Sequence, residues 1–355
     1  MKAPLTVAAL GTTVTITFAD DVPETLITSI RNAWADATVT TPTPTPSDAL
    51  PVTAVHSAEK LLEGLSGSIT LHAIRQQRGT LAMFHAAGVA DEHGRVAAFV
   101  GPSGRGKTTL SRVLGQHHGY VSDETVAVAL DGSLTVHPYR KPLSVVRAGA
   151  PKEQVAPSAA GLQPLPNTDL KLAAIVLLER DTSAQEITLE RIGLAECIND
   201  LVPQTSYLGD FEHPLRMLAE LAQNIGGFIK LTYPDATDIA NIVPAIFNAP
   251  PATIDWQPAV KAVDTGSFTP GALIDAIEVD DRIIVMHGSL VHVLDGIAPA
   301  IWRSACNGNN LEGITQDVIA LHGNPPDADA TELVDAALTE LISAGLLVPR
   351  EPRHS

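Results

Sequence analysis

VAAFVGPSGRGKTTLSRVLGQHHGYVSDETVAV, residues 96–128, decides how this chain is read. VAAFV (96–100) is a short apolar run closed by a glycine, the pattern of a buried strand. Gly101-Pro102-Ser103-Gly104-Arg105-Gly106-Lys107-Thr108 then matches GxxxxGK[ST] in full, with Thr109 behind it. Gly101, Gly104 and Gly106 let the backbone bend so that successive N–H groups converge on phosphate oxygens. The helix expected over 108–117 adds the positive end of its dipole. Lys107 supplies a mobile cation for β- and γ-phosphates, and the Thr108 hydroxyl is a ligand for Mg²⁺. A strand before the loop and a helix after it are the context this motif needs, so nucleotide binding by 101–109 is expected.

The acids come early. Asp123 lies only sixteen residues after Lys107, whereas in most P-loop NTPases the metal-holding aspartate ends a strand far downstream. A strand opening on Ser122-Asp123-Glu124 directly after the P-loop helix puts Asp123 and Glu124 beside the mouth of the loop. One acid could hold Mg²⁺ while the other accepts a proton from an attacking hydroxyl. Two adjacent acids at a strand start also suit a solvated turn. His85, on the strand before the P-loop strand, is the third piece; a lone strand histidine is more often a core residue. Arg140 and Lys141 follow the hairpin VALDGSLTVHP (128–138), where cations could neutralise a transferring phosphoryl group or simply be solvated. Lys152 and the helix-initial His213 carry weaker signals.

The bulk numbers narrow the classes. With 355 residues, two or three domains are expected. Aromatics are only 4%, so aliphatic side chains and alanine must fill the cores. The net charge of −17 argues against a nucleic-acid partner held by a general basic surface. Cys197 and Cys306 form no CxxC or zinc spacing and read as buried thiols in a reducing compartment. The first residues make a poor signal peptide, and no apolar run is long enough for a membrane span, so a cytoplasmic protein is expected.

Along the chain, residues 5–19 alternate as strands, and 22–36 read as an amphipathic helix. The alternating Thr-Pro run at 41–48 suits only an extended loop. SITLH (68–72), 81–90, 172–178 and 228–233 read as strands; 191–202 and 213–225 read as helices, with a last helix in YPDATDIANIVPAIF. The punctuation of 249–266 reads as a linker. The domains expected are an N-terminal α+β subdomain (1–64), a nucleotide domain (65–250), a linker (251–266) and a small α+β domain (267–349).

The order His85, turn, strand, GPSGRGKTT, helix, GYVSDE, hairpin, RKPLS (140–144) resembles the HPr serine kinase/phosphorylase family, and resembles more its shorter relatives, the HPr-kinase-like serine kinases. The resemblance covers roughly residues 65–245. It implies an α/β fold class: a P-loop kinase domain of the HPr kinase/phosphoenolpyruvate carboxykinase type, binding ATP and Mg²⁺. It further implies that Asp123 is the base, assisted by His85, that Glu124 lies near the metal, and that a homo-oligomer is an open alternative. The acid pair here is Asp-Glu rather than Asp-Asp. The family's E-x-R-G-x-G signature is not found, so neither HPr as substrate nor phosphorylase activity is carried over. Residues 277–349, with DRIIVMHGSLVHVLDGIAPAIWRSACNG, GITQDVIALHG and ELVDAALTELISAGLLV, resemble the PqqD-like fold. That fold is the winged-helix-like element that recognises precursor peptides in ribosomal-peptide biosynthesis.

Together these resemblances imply an ATP-dependent serine/threonine kinase with a peptide or protein acceptor, such as a precursor-peptide leader held by the C-terminal domain. A nucleotide-binding scaffold without transfer, a small-molecule hydroxyl kinase and a regulatory C-terminal module are the alternatives.

Overall fold

The computed structural model describes residues 2–40, 49–53, 58–145, 153–259 and 266–350, with the backbone alone at 58–60 and 63. The Thr-Pro run at 41–48 and Lys152 lie outside them. The molecule is mixed α/β. It divides into two compact units, one of Met1–Ile192, Asp200–Leu208 and Phe228–Pro251, the other of Gly193–Asn199, Gly209–Gly227 and Ala252–Ser355. Among the described residues no helix is long and apolar enough to cross a membrane.

The chain begins with β1 (Leu5–Ala9), β2 (Thr12–Phe18), α1 (Glu24–Ala33), β3 (Leu50–Val52) and α2 (Ala58–Gln76). It continues through β4 (Leu81–Phe84), β5 (Ala86–Ala90), β6 (Arg95–Val100), α3 (Lys107–Gly115), β7 (Gly119–Ser122), β8 (Val126–Ala129) and β9 (Val136–His137). Next come β10 (Leu143–Val145), β11 (Glu153–Val155), β12 (Lys171–Arg180), β13 (Thr188–Ile192), α4 (Leu194–Leu201), β14 (Thr205–Ser206), α5 (Pro214–Ile225), β15 (Phe228–Tyr233) and α6 (Val243–Asn248).

In the first unit, a six-stranded sheet has the order β13-β15-β12-β6-β5-β7. Its centre, β15-β12-β6, is parallel, and both flanks are antiparallel. β6 and β12 are almost wholly buried, which explains their unbroken apolar runs. Leu110 and Leu114 of α3 pack with Phe99, Val176, Ile229 and, from α6, Val243 and Ile246. A second, four-stranded sheet has the order β14-β4-β8-β9. Its Leu81, Met83 and Ala127 share a core with β1, β2, α1 and α2.

The chain crosses between these two sheets at two corners. β4 leaves the four-stranded sheet and β5 enters the six-stranded one across His85. β7 leaves the six-stranded sheet and β8 enters the four-stranded one across Asp123-Glu124-Thr125. The Ala86 N–H donates to the Glu124 carbonyl at 3.1 Å, tying the corners together.

Several expectations are corrected. SITLH (68–72) is the middle of α2, not a strand: Leu65, Ile69 and Ala73 are buried at helical spacing. α2 also runs through the boundary placed at 64/65, and the N-terminal segment shares its core with β4 and β8. The acids do not open a strand; β7 ends at Ser122. YPDATDIANIVPAIF divides into a 3₁₀ turn (Ala236–Ile239) and α6, with Pro244 near the start of the second helix. The expected linker contains a paired strand, Trp256–Pro258.

That strand, β16, opens the later part of the second unit, followed by β17 (Phe268–Pro270), β18 (Asp275–Val279), β19 (Arg282–His287), β20 (Leu290–Leu294), α7 (Ala298–Cys306), α8 (Leu311–His322), α9 (Ala330–Ser343) and β21 (Leu347–Pro349). The antiparallel order is β16-β18-β19-β20, and β17 pairs with β21. Ile283 and Val285 of β19 pack with Ile301 and Trp302 of α7, Ile314 and Val318 of α8, and Val334, Leu338 and Leu341 of α9. α8 and α9 start on side-chain caps from Asn310 and Asp329.

α5 belongs to this unit, although the sequence placed it in the nucleotide domain. The reason is a cap supplied from far along the chain. His213, at the N-cap of α5, makes no capping bond. The wholly buried Asp275 carboxylate accepts the Leu215 and Arg216 N–H groups, each at 3.0 Å, and pairs with the Arg216 guanidinium at 3.1 Å.

Candidate functional site

The loop after β6 has the geometry its glycines suggest. Gly104 and Gly106 sit at φ of 89° and 90°, left-handed backbone that other residues rarely adopt. A side-chain carbon at Gly101 would come within 3.2 Å of Leu178 on β12, so this glycine permits a close strand approach. α3 begins at Lys107 itself, one residue earlier than expected. Ser103, Thr108 and Thr109 are exposed, while Lys107 is buried. The Lys107 ammonium donates to the carbonyls of Gly101 and Pro102, and burial lowers its pKa. The Arg105 carbonyl accepts a hydrogen bond from the Tyr233 hydroxyl of β15, and its guanidinium donates to the Arg180 carbonyl at 3.2 Å.

The acids are aimed by a hydroxyl. Ser122 Oγ accepts the N–H of Glu124 at 3.2 Å and of Thr125 at 3.1 Å, closing a tight turn at the end of β7. Lys141 reaches both carboxylates, 3.3 Å from Asp123 Oδ1 and 3.2 Å from Glu124 Oε2. Burial pulls the Lys141 pKa down, but the charges of Asp123 and Glu124 outweigh it and the net shift is upward. The Asp123 side chain is 7% exposed, and the Lys141 ammonium is the cation at its Oδ1. Tyr120, wholly buried on β7, is held protonated by its burial first and by the Asp123 charge second.

At the other corner, the His85 N–H donates to the Gln204 carbonyl at 2.7 Å. Its pKa is lowered, first by burial and then by Lys107, against the opposing influence of Glu124 and Asp123. The imidazole is therefore biased toward its neutral form.

A pocket of about 530 Å³ gathers these groups. Ser103, Gly104, Gly106, Lys107, Thr108 and Thr109 line it from the loop; His85, Asp123, Glu124 and Lys141 line it from the two corners and beyond β9; Arg180 lines it from the end of β12. The volume is in the range of small-molecule sites. Gly101 and Pro102 contribute by holding Lys107, and Arg105 by bracing the loop against β12 and β15.

Two sequence assignments change. Arg140 does not line the pocket. Its guanidinium faces Asp36 at 3.6 Å, and the same carboxylate accepts the Ser158 N–H and hydroxyl at 2.6 and 2.8 Å. Adjacent residues of an extended segment point to opposite sides, so only Lys141 can face the acids. Lys141, read from the sequence as a phosphate-neutralising or solvated cation, is instead the ionic partner of Asp123; His85, which the resemblance has assisting Asp123, lines the same pocket. Arg180 was missed altogether. In the sequence it is merely the polar end of LAAIVLLER; its signal is its place at the carboxyl end of a strand parallel to the P-loop strand, where open α/β sheets bind ligands.

No family model matches the chain, and no curated protein matches it.

Among the described residues no group of three His, Cys, Asp or Glu side chains gathers as a metal cage. Mg²⁺ needs none, because it takes one or two carboxylates together with phosphate oxygens and water. A hydroxyl at Thr108, the carboxylates of Asp123 and Glu124 in the same pocket, and a loop with left-handed glycines fit such a group.

Proposed function

We propose that the first unit is an ATP-dependent kinase of the HPr-kinase-like, phosphoenolpyruvate-carboxykinase type, transferring a phosphoryl group to a serine or threonine hydroxyl of a peptide or protein. The observation that carries this reading is that the P-loop and the acid pair line one pocket. A motor or switch needs the loop and a metal-holding acid; a second acid beside the first offers the base that transfer to a hydroxyl uses.

When bound, Mg²⁺ and ATP supply the phosphoryl group and neutralise part of its charge. The loop N–H groups between Ser103 and Thr109 cradle the phosphates. Lys107 exchanges the Gly101 and Pro102 carbonyls for phosphate oxygens. Thr108 and Glu124, with Asp123 beside them, would hold the metal. Asp123 takes the hydroxyl proton. Lys141, 3.3 and 3.2 Å from the two adjacent carboxylates, balances the negative charge that collects between them. Neutral His85 adds a polar wall without adding a second positive charge near Lys107. The PqqD-like resemblance of 277–349 supports a peptide acceptor, held on the second unit.

The test is incubation of the purified chain with ATP, Mg²⁺ and candidate peptides, read by mass for a gain of about 80 Da per phosphoryl group. A second reading is favoured by one contact: Lys141 already engages both acids, as suits a nucleotide-holding scaffold that transfers nothing. No phosphorylated product from a peptide that binds the chain would favour the scaffold. Unchanged transfer to a small hydroxyl compound after removal of 267–355 would favour a small-molecule acceptor.

A further inference from the structure

The pocket holds three cations, and they are not equivalent. Lys107 is buried and bonded to two main-chain carbonyls. Lys141 is 13% exposed and committed to two carboxylates. The Arg180 guanidinium donates to the Pro234 carbonyl at 3.3 Å and pairs with Asp235 at 3.1 Å, and these two side chains are 41% and 49% exposed. An ion pair that exposed contributes between nothing and about 1 kcal/mol. Arg180 is thus the pocket cation most cheaply turned toward a ligand, and its planar fork suits two phosphate oxygens at once.

The sheet order sets Arg180 apart from the acids. Arg180 ends β12, on one side of the P-loop strand β6. The acids and His85 border β5 and β7, on the other side. In an in-line transfer the attacking hydroxyl and its base occupy one side of the phosphorus, and the departing oxygen the opposite side. We propose that Arg180 grips the phosphates that leave with the nucleoside, making it a binding residue for the departing diphosphate. In the step, the acceptor oxygen bonds to the γ-phosphorus and its proton goes to Asp123. The bond from that phosphorus to the bridging oxygen breaks, and its electron pair stays on the diphosphate facing Arg180. The inference rests on the kinase reading for its nucleotide, but not for its polyphosphate.

The test is calorimetric titration of the full chain with ADP, ATP, pyrophosphate and tripolyphosphate. Arg180→Ala is expected to weaken ADP and ATP by the same factor, about tenfold or more, agreeing to within about twofold. Pyrophosphate should weaken in parallel, and Arg180→Lys should recover only part of the loss. Unaltered ADP affinity in Arg180→Ala overturns the proposal, whether or not ATP weakens. A second variant, Asp235→Asn, keeps an acceptor for Thr237 but removes the charge that holds Arg180. It should bind ADP more tightly, and weaker ADP binding there also counts against the proposal. If the unaltered chain binds pyrophosphate but not ADP, and Arg180→Ala loses that binding, Arg180 stands as a polyphosphate clamp and the adenine-nucleotide reading falls. Binding of none of the four ends both.

Discussion

Lys107→Ala removes a buried ammonium whose present partners are two carbonyls of its own loop. Nucleotide affinity is expected to fall at least about tenfold, measured by titration calorimetry. Asp123→Asn keeps the shape of the pocket and removes the proton acceptor. Binding should stay within about threefold of the unaltered chain, while transfer falls by about 10² to 10⁴ in a single-turnover assay. An Asp123→Asn variant with full transfer activity would sink the assignment of the base. His85 carries a pH dependence. Its folded pKa lies below the ordinary value near 6.5, so near and below that pH the unfolded chain binds more protons than the folded one. The stability contribution is present in full above 6.5 and is lost as pH falls from there through the folded value. His85→Gln should flatten that part of a plot of Tm against pH; an unaltered slope would assign the dependence to other groups.

At the scale of elements, the buried Asp275 cap makes a separate prediction. Asp275→Ala strands the Leu215 and Arg216 N–H groups and leaves the Arg216 guanidinium without its carboxylate. The cost should be about 3 kcal/mol, read from urea unfolding. The cap was not legible beforehand because it joins positions sixty residues apart. What could be read was whatever is local: β6, the loop and α3 follow one another with strand, turn and helix signals in register. SITLH failed because five residues are too few to separate a period of two from one of 3.6; the spacing of Leu65, Ile69 and Ala73 carries the helix. The acid pair was found by its distance from Lys107. The choice of Lys141 over Arg140, and the presence of Arg180, depend on which side of a strand each residue takes and on which strand lies beside β6. Local sequence contains neither fact.

Over the whole molecule, the charge of −17 sets long-range behaviour. Adding salt from about 0.05 to 0.5 M should raise Tm slightly, as screening relieves self-repulsion. Duplex DNA should show no retardation by the chain at about 0.15 M salt, since the pocket cations are too few and too enclosed to track a phosphate backbone. The placement of the candidate residues has a consequence in time. His85 stands where the chain leaves the four-stranded sheet, and Asp123-Glu124 where it returns, with one main-chain bond between the two crossings. The phosphate loop needs β6, α3 and β12; the corners need both sheets complete. During refolding from urea, nucleotide binding should therefore recover no later than phosphoryl transfer, and transfer should appear only with the slowest step that joins the sheets. Catalytic competence would then mark the end of folding, and half-assembled chains would hold nucleotide without spending it.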